Sequence, residues 1–219
     1  MLPDPIETYI LSQIDEESAL LAALSRDAHV KLLRPRMISG HLQGRILKMF
    51  CRMMRPKRVL EIGTYTAYAT LCMAEGLDDD ALIHSIDIND EMEPFVSPYL
   101  EQSPDRYKIR IHWGDALEII PSLNELFDLV FIDGDKRDYC AYYDVVFPFV
   151  RPGGIILADN TLWSGKVTDD EMTLSNKQTQ GILNFNEKIK HDTRIEKIIL
   201  PLRDGLTVIY KLAEKNDNN

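Results

Sequence analysis

Five short apolar runs, each with an acid at or near its carboxyl end, constrain this chain more than any other feature. They are RVLEIG (58–63), LIHSIDI (82–88), IRIHWGD (109–115), LVFIDGD (129–135) and GGIILADN (153–160). The runs show little of the alternation expected of a sheet with one wet face, so they predict strands covered on both sides. The stretches between them leave room for crossover helices. The expected fold is therefore α/β, with a doubly wound, mostly parallel sheet. Two later runs, RIEKIILPL (194–202) and LTVIYKL (206–212), flank Arg203, Asp204 and Gly205 and predict an antiparallel hairpin, which brings the sheet to seven strands.

Upstream of the runs the pattern is helical. Asp4, Pro5 and Glu7 fit an N-cap, a first-turn proline and a capping-box partner, and Ile6, Ile10 and Ile14 share a face. A second helix is expected from about Gly40 to Arg55, with Leu42, Ile46, Met49 and Met53 as its apolar stripe and Pro56 as its stop. Residues 1–56 thus read as N-terminal helices contributing to cofactor cover and dimer contact, within one domain spanning 1–219. Only the tail from Glu214 to Asn219 reads as frayed, and the polar segment from Lys166 to Gln180 reads as a mobile loop.

The 219 residues carry 25 Lys and Arg against 35 Asp and Glu, a net charge of −10. Nucleic acid and anionic membranes both require a basic surface, so neither is an expected partner. The imbalance is concentrated in residues 59–105, which hold eleven acids and no Lys or Arg. Cys51, Cys72 and Cys140 are scattered and odd in number, as in a reducing compartment. No apolar run reaches the length of a membrane span, and the first residues lack the pattern of a secretory signal, so a soluble cytoplasmic protein is expected.

In an open α/β sheet, ligands bind beyond the carboxyl ends of the strands, where the strand order reverses. The first strand delivers Glu61, Ile62, Gly63, Thr64 and Tyr65 there. Gly63 can make the strand-to-helix turn, but Tyr65 and Tyr68 stand where a dinucleotide fingerprint needs glycines that admit a pyrophosphate. Asp87 closes the second strand, where an acid can hydrogen-bond both ribose hydroxyls. Asp115 and Ala116 follow the third, placed to meet an adenine edge. These positions suit adenosine without a phosphate chain, and S-adenosylmethionine is a cofactor of that description. Asp133 ends the fourth strand, and Asp159 and Asn160 end the fifth. Neighbouring strands lie about 4.8 Å apart, so these oxygens can converge as a hard donor set suited to Mg²⁺. Strand-end carboxylates also cap helices; Lys136, three residues after Asp133, favours the chemical reading. An amine beside a dication gives up its proton more readily and can then serve as a general base. The five histidines, His29, His41, His84, His112 and His191, form no zinc-like cluster and read as structural.

FIDGDKRDYCAYY, GGIILADNTLWSGKV and LPLRDGLTVIYK together resemble the metal-dependent O-methyltransferases of the caffeoyl-CoA and catechol type. The resemblance runs from Met37 and the GHLQGRIL helix to the final hairpin, and it implies a Rossmann-like methyltransferase fold and a homodimer. It further implies that Asp133, Asp159 and Asn160 hold a divalent metal, most readily Mg²⁺, with Ca²⁺ or Mn²⁺ as alternatives, and that Lys136 is the base. Ile38, Glu61, Gly63, Thr64, Ala69, Asp87, Asp115, Ala116 and Asp135 fall to S-adenosylmethionine; Asp133, Trp163 and Ser164 fall to the substrate. The chain departs from the family pattern at Ala67, where a Gly is usual, at Ala69, where a Ser is usual, and at Gly134, where an Ala is usual. The implied reaction methylates one hydroxyl of a metal-chelated vicinal diol, either catechol-like or caffeoyl-CoA-like. An NAD-dependent oxidoreductase and a non-catalytic adenosine-binding protein are rival readings on the same sheet. Tyr65 and Tyr68 oppose the first, and a convergent lysine opposes the second.

Overall fold

The computed structural model describes residues 5–168 and 176–213. Its strands are β1 (Arg58–Ile62), β2 (Leu82–Asp87), β3 (Ile109–Trp113), β4 (Phe127–Ile132), β5 (Val150–Ala158), β6 (Ile195–Leu200) and β7 (Leu206–Lys211). They form one sheet in the order β3-β2-β1-β4-β5-β7-β6. Strands β1 to β5 run parallel, and β7 runs antiparallel to both β5 and β6. The order reverses between β1 and β4, which makes the gap beyond Ile62 and Ile132 the switch point.

Eight helices are described: α1 (Pro5–Gln13), α2 (Ala19–Lys31), α3 (Gly40–Met54), α4 (Tyr68–Ala74), α5 (Glu93–Gln102), α6 (Ala116–Leu123), α7 (Tyr139–Val146) and α8 (Lys177–His191). They cover both faces, as the unbroken apolar strands require. Val59, Ile83 and Phe131 join a core with Leu24, Leu47, Leu71 and Val96 from α2 to α5. Leu60, Val130 and Ile156, pointing the other way, join a second core with Ile120, Tyr143, Phe185 and Ile189 from α6 to α8.

The N-terminal helices differ from the sequence expectation. Helix α2 was not anticipated; Ser18 caps it by accepting from the amide of Leu21. Helix α1 buries no residue fully, and Ile6 is largely exposed. Helix α3 begins and ends where expected, but its buried face is Gln43, Gly44, Leu47 and Cys51. The expected stripe lies to one side, with Leu42 and Ile46 half-buried and Met49 and Met53 exposed. Gly44 explains the rotation: a Cβ there would come within 2.6 Å of the Cys72 sulfur, so the glycine lets α3 sit directly on α4. Asp4 and the tail lie outside the described residues, as do 169–175 of the expected loop. Lys177 to Gln180 from that loop instead open α8, capped by the Asn176 side chain on the amides of Gln178 and Thr179.

Candidate active site

The strand ends are fixed by ladder bonds that continue past the strands. The amide of Gly63 donates to Ile86 O (2.8 Å), that of Asp133 to Ile62 O (2.8 Å), and that of Asp159 to Ile132 O (3.0 Å). Gly63 has φ 104, and a Cβ on it would lie 2.4 Å from the carbonyl oxygen of Asp133. Only glycine permits both this backbone and this approach. The turn after β1 and the acid after β4 are thereby packed together at the switch point.

Around the first loop the expected cofactor residues separate into buried and accessible groups. Glu61 is fully buried. One of its carboxyl oxygens accepts from Thr70 and Ser85, and the other is buried without a partner. Burial pushes this carboxyl up to about 8, partly opposed by the two hydroxyl donors and reinforced by the charges of Asp133 and Asp87. Glu61 thus lies beneath the loop. Thr64 is also buried and shares a 2.6 Å hydrogen bond with Ser85, and Ala69 lies buried in the first turn of α4. Ala67 adopts φ 61, the left-handed region in which a Cβ is unfavourable.

Asp87 is half-buried and receives the amides of Tyr65 (2.7 Å) and Asn89 (2.9 Å). Asp115 caps α6 through the amide of Leu117 (2.8 Å), with Ala116 buried behind it. Asp135 caps the short 3₁₀ turn Lys136–Asp138 and is forked by Arg137, which holds its carboxyl below the usual range. Ile38 follows another 3₁₀ turn, Pro35–Met37, and is buried. Tyr65 OH donates to Arg34 O (3.0 Å), tying that segment to the first loop.

The second group gathers past β4 and β5. Lys136, itself buried, donates from Nζ to Asp133 Oδ1 (2.7 Å) and to the hydroxyl of Tyr139 (2.7 Å). That hydroxyl directs its own proton at the carbonyls of Asp159 (3.0 Å) and Ile132 (3.2 Å). One phenol therefore joins the lysine to the ends of both strands, and burial holds its proton on well above the ordinary tyrosine range. Asp159 is buried; desolvation first, then the charge of Asp133, raises it to about 6. Its Oδ1 accepts from the Asn160 amide (2.8 Å) and its Oδ2 from Gln43 Nε2 (2.7 Å). Asn160 adopts φ 57, a region that Asn tolerates better than most residues. Trp163 and Ser164 also have positive φ and begin a 3₁₀ segment. Ser164 donates its amide and hydroxyl to Asp204 Oδ1 (3.2 Å each), and Lys166 lies over the Trp163 ring.

Among the described residues no group of three or more His, Cys, Asp or Glu is arranged to hold a metal. The candidate set is of another kind, two carboxylates and one amide. The Asn160 side chain and Asp133 Oδ2 make no hydrogen bond to described residues, while Asp133 Oδ1 and the two oxygens of Asp159 each accept one donor. Such an all-oxygen, doubly negative set fits a hard divalent cation.

Sequence reasoning missed Gln43, Tyr139, Asp204 and Gly181. Tyr139 had a signal, since it follows Lys136 by three residues and helical spacing places the two together. Gly181 in α8 had none: a Cβ there would meet Lys136 O at 2.2 Å, so the glycine lets α8 lie against the lysine turn.

The chain matches the profile of the O-methyltransferase family over residues 11–212. It is 33% identical over 181 residues to a caffeoyl-CoA O-methyltransferase of Petroselinum crispum, covering 78% of this chain and 75% of that protein. Caffeoyl-CoA O-methyltransferase 5 of Nicotiana tabacum is 32% identical over the same length and coverage. Among solved structures, the O-methyltransferase TomG of Streptomyces achromogenes, involved in tomaymycin synthesis and determined with S-adenosylmethionine, superposes with a TM-score of 0.87 and 25% identity, covering 96% of this chain and 97% of that one. The O-methyltransferase of Bacillus cereus with S-adenosylhomocysteine gives 0.87 at 23% identity over 94% and 96%, a likeness of fold. The doubly wound sheet ending in an antiparallel hairpin, the family match and the cofactor-bound neighbour TomG together define an S-adenosylmethionine-dependent O-methyltransferase. The chain belongs to the O-methyltransferase family.

Proposed function

We propose that this O-methyltransferase transfers the methyl group of S-adenosylmethionine to one hydroxyl of a vicinal diol that chelates a divalent cation, with Mg²⁺ as the fitting ion. The observation that carries the reading is the convergence, through the Tyr139 hydroxyl, of buried Lys136 with the oxygen donors at the ends of β4 and β5. The curated relatives, named for caffeoyl-CoA, support an acceptor bearing two adjacent hydroxyls.

Asp133, Asp159 and Asn160 would hold the cation, which when bound lowers the pKa of a chelating hydroxyl and fixes its direction. Lys136 Nζ takes the hydroxyl proton. The oxygen then forms a bond to the methyl carbon as the carbon–sulfur bond breaks, leaving S-adenosylhomocysteine. Because oxyanion and sulfonium charges cancel as they react, much of the acceleration comes from alignment of the two reactants. Ile38, Glu61, Gly63, Thr64, Ala69, Asp87, Asp115, Ala116 and Asp135 form the cofactor side of that alignment. Trp163 and Ser164 border the acceptor. We further propose that the protein works as a homodimer.

Incubation with S-adenosylmethionine and Mg²⁺ against a panel of catechols, flavonoids and caffeoyl thioesters, with products identified by mass, tests the reading. Methylation of a vicinal diol, abolished by EDTA and restored by Mg²⁺, is expected. Full turnover in EDTA would remove the cation, and methylation of isolated hydroxyls at equal rates would remove the diol.

A further inference from the structure

Gln43 is almost completely buried, on the face of α3 that also buries Gly44, Leu47 and Cys51. A buried amide must place both its ends. Its Nε2 donates to Asp159 Oδ2 (2.7 Å), and its Oε1 accepts from Arg203 Nη1 (3.0 Å). The two contacts settle which way the amide faces. A guanidinium can only donate, so it demands the oxygen, and the amide nitrogen is left for the carboxylate. The same guanidinium reaches Ile38 O from both terminal nitrogens, at 3.5 and 3.4 Å.

Arg203 belongs to the turn between β6 and β7, and that turn touches the site at three further places. Asp204 accepts from Ser164, its carbonyl accepts the amide of Leu162 (2.7 Å), and the carbonyl of Gly205 accepts that of Thr161 (3.1 Å). The segment 159–164 is thereby held along its length by a turn distant in sequence. Arg203 alone reaches past it, to α3 and to the segment at Ile38.

We propose that Gln43 and Arg203 form a positioning pair. Arg203 sets the orientation of the Gln43 amide, Gln43 aims the carboxylate of Asp159, and the shared guanidinium ties this acid to the segment at Ile38. The proposal rests on the reading of Asp159 as a ligand of the divalent cation. A donor on Oδ2 adds a second restraint on rotation of the carboxylate, whose Oδ1 already accepts from the Asn160 amide. Partners of this kind orient metal ligands, and losing one typically weakens metal binding about 10-fold to 100-fold.

The test measures Mn²⁺ binding by electron paramagnetic resonance in the presence of S-adenosylhomocysteine, with affinity for S-adenosylhomocysteine measured separately by calorimetry without metal. Gln43→Leu is expected to weaken Mn²⁺ binding about tenfold or more. Arg203→Met, which removes the guanidinium from an exposed side chain, is expected to weaken it by a smaller factor, and Arg203→Lys to recover part of the loss. Because Arg203 acts on the acid through Gln43, Arg203→Met should add nothing to the Mn²⁺ defect of Gln43→Leu. Wild-type Mn²⁺ affinity in Arg203→Met, or an undiminished Arg203 effect in the Gln43→Leu background, would overturn the pair. A wild-type protein that binds S-adenosylhomocysteine but no Mn²⁺ would overturn both the pair and the cation reading. One that binds neither would overturn the methyltransferase reading itself.

Discussion

Lys136 takes two partners close in the chain, Asp133 three residues before it and Tyr139 three residues after, and the backbone of α8 lies against its carbonyl. Replacing it with methionine keeps the stem and removes the amine. Lys136→Met is expected to lower kcat by about 10²-fold to 10⁴-fold, the usual contribution of a positioned proton acceptor. Affinity for S-adenosylhomocysteine, measured by calorimetry, should be nearly unchanged, because the amine touches Asp133 and Tyr139, neither assigned to the cofactor, and neighbouring Asp135 is held by Arg137. A selective loss of cofactor binding would contradict the role of base. Glu61 supports a prediction of another kind. Its carboxyl titrates at about 8 in the folded chain against 4.5 ordinarily, chiefly through burial, so between those values the folded protein keeps a proton that the unfolded chain has released. Stability from this group is therefore present at low pH and is lost as pH rises toward 8. Urea midpoints recorded across that range should fall with pH in the wild type and fall less in Glu61→Gln. An equal fall in both would show that Glu61 is not the group responsible.

At the level of elements, close approach decides where the chemistry sits. Helix α8 can lie on the lysine turn only because Gly181 lacks a side chain. Gly181→Ala forces a methyl group onto Lys136 O, and overpacking of this kind costs about 1 to 3 kcal/mol. A lowered melting temperature together with reduced kcat is expected; full activity at wild-type stability would mean that the helix shifts without moving Lys136. These approaches also explain what the sequence could and could not disclose. All seven strands were legible as short apolar runs bounded by turns, even β6, an edge strand that is mostly exposed. The placement of the acids and of Lys136 at the strand ends was legible too. The buried face of α3 was not: Gln43 and Gly44 look polar and weak in a helical pattern, yet one is buried by its hydrogen bonds and the other by its contact with Cys72. Helix α2 was hidden for a similar reason. Its buried Leu21, Leu24 and Ala28 lie in a run of Ala and Leu that shows no clear side, and its start depends on a single serine cap. The turn at 203–205 was legible as a turn, but nothing local could show that it reaches α3, 160 residues away.

For the whole molecule, the eleven acids of residues 59–105 contribute little of the chemistry. Asp78 instead pairs with Arg55 and Lys57, and Asp80 with Lys57, just past the end of α3. No described helix is long and apolar enough to cross a membrane. The apolar side chains left outside include Ile6 and Tyr9 of α1 and Met49 and Met53 of α3. The proposed homodimer would cover such a face, and sedimentation at micromolar concentration should give twice the mass of the chain. Met53→Lys should shift that equilibrium toward the single chain; a wild-type protein that sediments as a single chain throughout would refute the dimer.

The place of β7 has a further consequence. It lies between β5 and β6, although both precede it in the chain. During synthesis, Asp159 and Asn160 leave the ribosome at the end of a strand with one open edge, and that edge must wait while α8 and β6 are made. Only when the final strand inserts does the turn that braces the site come into place. Folding of this enzyme should therefore end in a late, non-local step, slow by the entropy of closing so long a loop, and the proposed cation site should take shape at that step and not gradually before it.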